Sequence, residues 1–261
     1  MADLKYSFLI PYVPRAAHLD RVLCAFRYWY GTRKDFELIL VPTTLDDPEL
    51  ERLCLHYGQH LQLRTQATDR PDTPNSCRRF NVAAGLARGQ FLVITGPEIK
   101  HVTNVLAAFD QEFAADPGAY LVPACANVEF ATERHIGWYQ HSVYNNRRLH
   151  WCTAISRANW EKIGGFDERY CQDMGWEDDD WLARVENAHC PIVVRDDVLV
   201  YHLQHGRGAN FGYAGGPLIN PGEKNAQLYY KTWPEAGQRR NIANAQWGEE
   251  IRKLHWMHPG G

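Results

Sequence analysis

Phe91-Leu92-Val93-Ile94-Thr95-Gly96-Pro97-Glu98 is an apolar run that stops at a turn ending in an acid, which predicts a fully buried strand. Residues 6–13 and 36–41 form two similar runs earlier in the chain, and segments with helical spacing follow them. Strands that alternate with helices indicate a mostly parallel sheet, and such sheets bind ligands at the carboxyl ends of their strands. The sequence therefore predicts an α/β domain with a ligand site at those strand ends.

The remaining periodic segments extend this alternation along the chain. Further strands are predicted at residues 61–64, 120–122, 152–156, 192–194 and 198–200. Helices are predicted at residues 18–30, 49–57, 77–88, 102–115, 159–163 and 181–187. Residues 206–222 are rich in Gly, Asn and Pro and poor in apolar side chains, which predicts a mobile loop.

Composition narrows the class of protein. The 261 residues suffice for one large α/β domain, and the formal net charge of -3 gives no overall field that would attract nucleic acid. The seven cysteines are odd in number and form no Cys-x-x-Cys pair, which favours reduced thiols over a zinc site. No apolar run approaches the roughly 20 residues that span a bilayer. We therefore expect a cytoplasmic protein without a transmembrane segment.

A second feature is an unusual concentration of acids. Gly164-Gly165-Phe166-Asp167-Glu168 is followed, after a short gap, by Gly175-Trp176-Glu177-Asp178-Asp179-Asp180. Consecutive carboxylates repel one another, so they commonly bind a cation, hold a hydroxyl group or prepare one for deprotonation. The alternative is a capping cluster on a solvated helix start, which leaves Trp176 and the preceding Gly-Gly-Phe-Asp without a role.

The order of these motifs resembles that of the nucleotide-sugar-dependent glycosyltransferases of GT-A fold. The pattern comprises the first strand, the run Asn81-x-x-x-Gly85-x-Ala87-x-Gly89, the apolar strand that ends in an acid, and the two acidic motifs. Family 2 is the most similar, and the Gly-Trp-Glu-Asp-Asp-Asp portion is also similar to β-1,4-galactosyltransferases and polypeptide N-acetylgalactosaminyltransferases. One departure is Glu98, which stands where the family carries Asp-x-Asp.

The resemblance implies a GT-A (Rossmann-like) single domain with a mostly parallel central sheet flanked by helices. Residues 1–100 would form its nucleotide-sugar-binding half, residues 101–205 its acceptor-binding and catalytic half, and residues 206–261 a mobile loop and C-terminal tail. Such a protein would move a sugar from a nucleoside diphosphate donor, with UDP favoured, to a hydroxyl acceptor. Inversion at the anomeric carbon is favoured over retention, and the mobile loop would close over the donor.

The resemblance also assigns the catalytic and metal-binding residues. Asp178 corresponds to the general base, and Glu177 would hold an acceptor hydroxyl or orient the base. A divalent cation would bind Glu98 together with His202 or His205, and a carboxylate beside an imidazole suits Mn²⁺ better than Mg²⁺. Two alternatives stay open: Glu98 caps the helix that begins near residue 102, and one of the histidines only packs or lies on the surface.

Donor and acceptor contacts are assigned in the same way. Asp46 or its neighbour Asp47 would accept a hydrogen bond from the uracil or ribose, with ordinary turn chemistry as the alternative. The predicted donor contacts are Pro11, Tyr12, Asp46, Arg78, Arg79 and Glu98. The predicted acceptor contacts are the aromatic residues Trp176, Trp138 and Trp151. For any one of these aromatic residues, plain core packing is the alternative.

The acceptor stays open at this stage. A growing glycan or lipid-linked saccharide is favoured, a modified base in DNA is opposed by the acidic net charge, and a protein side chain is a third option. No obligatory protein partner is expected. A competing interpretation is a catalytically silent nucleotide- or glycan-binding module, since the Asp-x-Asp motif is altered. A nucleotidyltransferase would need a Gly-rich loop near the N-terminus, and residues 11–17 contain no glycine.

Overall fold

The computed structural model describes residues 4–68, 75–205 and 222–235, and strands and helices alternate through them. The helices are α1 (Ala16–Tyr30), α2 (Pro48–Tyr57), α3 (Cys77–Leu86), α4 (Val105–Ala115), α5 (Arg157–Ile163), α6 (Glu177–Asn187) and α7 (Glu223–Thr232). The strands are β1 (Tyr6–Tyr12), β2 (Phe36–Pro42), β3 (Leu63–Thr65), β4 (Phe91–Ile94), β5 (Ile99–His101), β6 (Tyr120–Val128), β7 (His135–Gln140), β8 (Thr153–Ser156) and β9 (Ile192–Leu203).

All the described strands join one sheet in the order β3-β2-β1-β4-β8-β6-β9-β5, with β7 paired to β6. Strands β3, β2, β1, β4, β6 and β9 run in one direction, and β5, β7 and β8 run in the other. The prediction of a mixed α/β fold with a mostly parallel sheet is confirmed. The carboxyl ends of β1, β4, β6 and β9 therefore meet at one edge of the sheet.

Helices cover both faces of the sheet, which explains why strands β1, β2 and β4 are buried along their whole length. One core cluster packs residues of α1, α2 and α4, such as Leu19, Leu50 and Phe109, on one face. The other packs α3, α5, α6 and α7, including Phe80 and Trp181, on the opposite face. Among the described helices, none is long and apolar enough to cross a lipid bilayer.

Two strands were not predicted because their own residues do not form an apolar run. Strand β5 is three residues long, contains Lys100 and His101, and pairs antiparallel with β9. Strand β7 lies in the segment of mixed aromatic and basic residues and pairs with β6 through two register shifts. The two short strands predicted at residues 192–194 and 198–200 are one strand, β9, which bulges opposite Pro123 and Ala124.

The helix boundaries change two expectations at the site. Helix α6 begins at Glu177 and not at residue 181, so all four consecutive acids lie in its first turn. Helix α4 begins at Val105 and is capped by Asn104, whose Oδ1 accepts a hydrogen bond from the Ala107 backbone. Glu98 therefore does not cap this helix, and that alternative is wrong.

The C-terminal part of the chain contains a helix that the sequence did not reveal. Helix α7 packs in the second core cluster through Tyr229, and the Trp233 indole donates a hydrogen bond to Asp180 Oδ1 over 2.8 Å. Residues 206–221 and 236–261, which carry the predicted mobile loop and most of the tail, lie outside the described residues. The predicted division of the chain into functional halves stays a prediction.

Candidate active site

Three potential metal ligands meet at the carboxyl edge of the sheet. Because β5 pairs antiparallel with β9, Glu98 just before β5 lies beside the end of β9, where the Leu203 backbone donates to the Glu98 carbonyl over 2.9 Å. One ligand atom each from Glu98, His202 and His205 lies within 4.8 Å of the others. The sheet thus brings together the three residues that the sequence predicts as metal ligands.

The orientation of His202 is set by an asparagine on the neighbouring strand. His202 Nδ1 lies 2.8 Å from Asn127 Oδ1, and β6 and β9 pair these two residues in register. An amide oxygen only accepts hydrogen bonds, so Nδ1 carries the proton and the lone pair is on Nε2. This is the arrangement that fixes a metal-ligating imidazole in other proteins.

Glu98 is a buried carboxyl group surrounded by positive charge. The residue is 4% exposed, and Arg15 Nη1 lies 3.4 Å from its Oε2. Burial raises the pKa of Glu98 above its ordinary value, and the guanidinium groups of Arg15 and Arg79 oppose that rise. A buried carboxylate needs compensating charge, which a bound cation supplies. One carboxylate with two imidazoles also provides the hard and borderline donor atoms that suit Mn²⁺.

The acidic motif begins where the backbone turns sharply into α6. Gly175 and Trp176 both have a φ of 70°, a left-handed conformation that is costly for a tryptophan. This turn starts the helix at Glu177 and places Glu177, Asp178, Asp179 and Asp180 in its first turn, where the helix dipole favours negative charge.

The Gly164–Glu168 motif is structural and holds α6 against α3. Phe166 stacks on Phe80 and Trp181, with ring centroids 4.8 and 4.6 Å apart. Asn81 Oδ1 accepts a hydrogen bond from the Phe166 backbone, and a Cβ at Gly165 would lie only 2.7 Å from that oxygen. The motif therefore fixes the position of the acids that follow it.

The four acids of α6 have different surroundings. Asp180 is buried and accepts hydrogen bonds from Arg184 Nε over 2.6 Å and from the Trp233 indole, so it joins α6 to α7. Glu177 Oε2 accepts a 2.6 Å hydrogen bond from Asn75 Nδ2. Burial, and then the charge of Asp178, raise the pKa of Glu177 to about 8. Glu177 is therefore largely protonated at pH 7.

Asp178 lies close enough to Tyr139 and His150 for its charge to act on both. Its charge raises the pKa of Tyr139, after the larger effect of burial, and opposes the effect of burial on His150, whose pKa is lowered to about 4. The Tyr139 ring lies 5.7 Å from that of His202. Tyr139 thus connects the surroundings of Asp178 with those of the metal-ligand cluster.

The predicted donor contacts are partly brought together. Arg79 is 4% exposed and acts on Glu98 through its charge, whereas Arg78 pairs with Glu168 over 2.8 Å. Pro11 is buried at the end of β1, and Tyr12 is 1% exposed and donates to Asp47 Oδ2 over 3.2 Å, so its ring packs in the core.

Asp46 and Asp47, in the acidic turn after β2, have different surroundings. Asp47 caps α2 by accepting a hydrogen bond from the Leu50 backbone over 3.0 Å. Asp46 is exposed at the same turn, and its backbone donates to Thr44 Oγ1. Turn chemistry therefore accounts for Asp47, and Asp46 keeps its predicted donor contact as a prediction.

The three predicted acceptor tryptophans lie in different places. Trp151 lies beside the cluster, with its ring 5.5 Å from His202 and 5.1 Å from Tyr139. Trp138 precedes Tyr139 on β7 and therefore points to the opposite face, where it packs with Tyr201 and Leu203. The structure does not bring Trp138 to the cluster, because neighbouring residues of a strand alternate between faces.

The Trp176 ring packs against α7. Its ring lies 5.2 Å from each of the rings of Tyr229 and Tyr230. A Cβ at Gly222 would lie 3.5 Å from its Nε1. The predicted acceptor contact of Trp176 would therefore use the part of the half-buried ring that this packing leaves exposed.

Sequence reasoning missed three residues that shape the site. Arg15 follows the proline that ends the first strand, a position that could have suggested it. Asn75 belongs to a polar loop, and Asn127 lies inside a strand, so neither residue has a local signal. Their roles depend on contacts with Glu98, Glu177 and His202, which are far away in sequence.

Comparisons with known proteins find one family model and several solved structures that are similar to this chain. Residues 151–205, which include the acidic motif and both histidines, match the family model described as the N-terminal domain of galactosyltransferase. S. aureus TarS 1-349 in complex with UDP-GlcNAc is similar with a TM-score of 0.65 and 14% identity, over 78% of this chain and 60% of that chain. No curated protein matches this chain in sequence.

Two further solved structures contain Mn²⁺. GalNAc-T7 with UDP, GalNAc and Mn²⁺ has a TM-score of 0.69 and 15% identity, over 89% of this chain and 49% of that chain. The mannosyltransferase PcManGT from Pyrobaculum calidifontis, in complex with GDP-Man and Mn²⁺, has a TM-score of 0.58 and 14% identity, over 78% of this chain and 58% of that chain. This chain thus spans 60% or less of these three structures. The predicted GT-A glycosyltransferase fold is confirmed.

Proposed function

We propose that this protein of GT-A glycosyltransferase fold transfers a sugar from a nucleoside diphosphate donor, with UDP favoured, to a hydroxyl group of a saccharide acceptor. The observation that carries the proposal is the cluster of Glu98, His202 and His205 at the carboxyl edge of the sheet. The solved structures of similar fold that contain UDP-GlcNAc, or UDP with Mn²⁺, support the choice of donor.

The donor side of the site supplies positive charge for the leaving diphosphate. Glu98, His202 and His205 would hold the cation, Mn²⁺ in preference to Mg²⁺. A divalent cation there would neutralise the charge that develops on the diphosphate as the bond to the sugar breaks. Arg15 and Arg79 lie close enough to Glu98 to influence its charge, and they would contact the same phosphate oxygens.

The acceptor side supplies the base. As the acceptor oxygen attacks the anomeric carbon, its proton passes to Asp178, and the bonding pair of the broken C–O bond leaves with the diphosphate. This single displacement inverts the anomeric carbon. Glu177, largely protonated at pH 7, would hold the acceptor hydroxyl without adding a second negative charge beside Asp178. Trp151 would then pack against the sugar.

Donor turnover is the direct test of this proposal. Purified protein would be incubated with a panel of UDP- and GDP-sugars, with and without Mn²⁺, and release of the nucleoside diphosphate would be measured. We expect release from one UDP-sugar that depends on Mn²⁺ and increases with the correct saccharide acceptor. A protein that binds donors without turnover would be the catalytically silent module, and a protein that binds none would exclude both proposals.

Asp178→Asn tests the assignment of the base. We expect transfer to fall by about 10²–10⁴-fold, because the acceptor loses its proton acceptor, while the donor dissociation constant stays unchanged. Asp179→Asn in the same helical turn is the matched control and should keep most of the activity. Loss of donor binding in Asp178→Asn would show that its role is misassigned. The identity of the acceptor and the cytoplasmic location stay predictions.

A further inference from the structure

The loop between β7 and β8 carries an arginine to the acceptor side of the site. Arg147 is exposed, and the central carbon of its guanidinium group lies over the Tyr139 ring, 5.6 Å from the ring centre. The Tyr139 ring in turn lies 5.1 Å from that of Trp151 and 5.7 Å from that of His202. Arg147 therefore contacts a ring that borders both the metal-ligand cluster and the proposed saccharide contact.

Hydrogen bonds to β7 hold this loop in place. The Asn145 side chain donates to two backbone carbonyl groups of β7 over 2.9 and 3.0 Å. Gln140, which ends β7 and is 1% exposed, accepts a hydrogen bond from the Arg148 backbone through its Oε1. The chain is thus tied to the strand on both sides of Arg147, so this guanidinium extends from a backbone whose position is fixed.

The Arg147 guanidinium has an aromatic neighbour but, within residues 4–68, 75–205 and 222–235, no ion-pair partner. Arg134, just before β7, by contrast pairs with Glu129. The N–H groups of a guanidinium form a planar fork that matches the oxygens of a carboxylate or a phosphate. Arg147 can therefore bind an anionic group of a ligand without first breaking an ion pair with a described residue.

Asp178 and Arg147 place opposite charges near the same phenol. Burial has the largest effect on the pKa of Tyr139; the Asp178 carboxylate raises this pKa further, and the Arg147 guanidinium lowers it. A negatively charged acceptor would be repelled by Asp178, and a cation close to the acceptor offsets that repulsion. Arg147 is in the right place to supply this positive charge.

We propose that Arg147 binds a negatively charged group of the acceptor, so that the acceptor saccharide carries a carboxylate or a phosphate near the hydroxyl group that receives the sugar. This inference rests on the proposed function. The shared chemistry is a pair of anionic oxygens that accept hydrogen bonds from the guanidinium fork, and a uronic acid or a sugar phosphate supplies them equally. The inference also gives a role to the segment of mixed aromatic and basic residues.

A matched panel of saccharides tests the charge of the acceptor. The protein, with Mn²⁺ and the UDP-sugar that it turns over, would be given glucose, glucuronate or glucose 6-phosphate, and the same forms of galactose. We expect kcat/KM for at least one charged form to exceed that of its neutral counterpart by about tenfold or more.

The two charged forms distinguish the source of the anionic group. A preference for glucuronate or galacturonate would identify a uronic acid, and a preference for the 6-phosphates would identify a sugar phosphate. If no charged form exceeds its neutral counterpart, the proposal is overturned.

Substitution of Arg147 tests whether this side chain recognises the charge. Arg147→Gln should lower the ratio of kcat/KM for the charged and neutral acceptors by about tenfold, mainly by raising KM for the charged one. Arg147→Lys keeps the charge but not the fork and should retain part of the preference. Arg148→Gln is the matched control, because it removes the same charge from the same loop, and it should leave the ratio unchanged. Equal effects of Arg147→Gln and Arg148→Gln would contradict the assignment to Arg147.

Donor hydrolysis separates this inference from the proposed function. Release of UDP with water as the only acceptor shows whether the donor is turned over before any saccharide is added. If UDP is released and the charged saccharides have no advantage, the inference about the acceptor fails and the proposed function stands. If the wild type releases no UDP from any donor, with or without a saccharide, the proposed function fails and the inference fails with it.

Discussion

At the scale of single residues, the site depends on neighbours that carry no chemistry of their own. Asn127 fixes the tautomer of His202, and Asn75 holds the carboxyl group of Glu177. Each is an amide that satisfies a partly buried polar partner, so its loss would leave a donor or an acceptor without a hydrogen bond. We therefore expect substitution of Asn127 to weaken cation binding and substitution of Asn75 to weaken acceptor binding.

Asn127→Leu should weaken Mn²⁺ binding by about 10–100-fold, because the Nδ1–H of His202 would lose its acceptor and the ring its orientation. Asn127→Asp keeps an oxygen acceptor and is the matched control. Isothermal titration of Mn²⁺ in the presence of UDP measures the effect. Equal affinity in the wild type and Asn127→Leu would remove His202 from the ligand set.

Glu177→Gln should change how stability depends on pH. The Glu177 pKa is raised from 4.5 to about 8 in the folded protein, so the native state keeps a proton that the unfolded chain releases between these values. The free energy of unfolding of the wild type therefore falls as pH rises through this interval, and glutamine abolishes that loss. We expect the variant to gain at least about 1 kcal/mol relative to the wild type between pH 4 and pH 9 in urea unfolding. A pH-independent difference would contradict the raised pKa.

At the scale of elements, the link between the acidic motif and α7 is the least evident from sequence. Asp173 accepts hydrogen bonds from the backbone N–H groups of Gly222, Met174 and Lys224 at 2.8 to 3.0 Å. It therefore caps α7 from a distant part of the chain. Trp176, whose ring packs on α7, is positioned by the same contact.

Asp173→Ala should destabilise the protein by about 0.5–2 kcal/mol and speed hydrogen exchange in α7, because three backbone donors lose their acceptor. Burial opposes ionisation of Asp173, but these donors hold its pKa below the ordinary value. Its stabilisation is thus present above the unfolded value of 3.8 and disappears as pH falls below it. Asp116→Ala, which removes one donor–acceptor contact at an exposed turn, is the control. Unchanged exchange in α7 would disprove the link.

At the scale of the whole molecule, Gly85 and Gly89 of the Asn81–Gly89 run differ in the space around them. A Cβ at Gly89 would lie 2.5 Å from the Tyr6 carbonyl carbon and 2.7 Å from the Ser7 nitrogen. Gly89 thus lets the chain after α3 pass directly against β1. A Cβ at Gly85, inside α3, would meet nothing within 4 Å.

Gly89→Ala should therefore destabilise the whole domain, by about 3 kcal/mol or more, since backbone must move to make room. Gly85→Ala is the matched control and should stabilise it by about 0.5–1 kcal/mol, because alanine favours the helix. Chemical denaturation monitored by tryptophan fluorescence gives both values. Equal effects of the two substitutions would show that the close approach at Gly89 is not required.

The apolar runs and their spacing were enough to predict most helices and the parallel part of the sheet, since local burial patterns determine those elements. They also placed Glu98 and the two histidines at strand ends. These patterns did not predict β5 and β7, because neither strand is an apolar run and both are formed by pairing with a neighbouring strand. They also set the start of α6 too late, because the left-handed turn at Trp176 has no signature in its side chain.

Residue type and local spacing are enough to predict the fold class and to single out the acidic motif, and the resemblance to a known family adds the candidate metal ligands. Which of these residues act together depends on how the chain folds. The antiparallel pairing of β5 with β9 brings Glu98 close to the two histidines. Because side chains of β7 alternate between the two faces of the sheet, Tyr139 lies at the site and Trp138 packs on the opposite face. Hydrogen bonds and electrostatic interactions act over a few ångströms, and only the folded chain brings residues distant in sequence within that range.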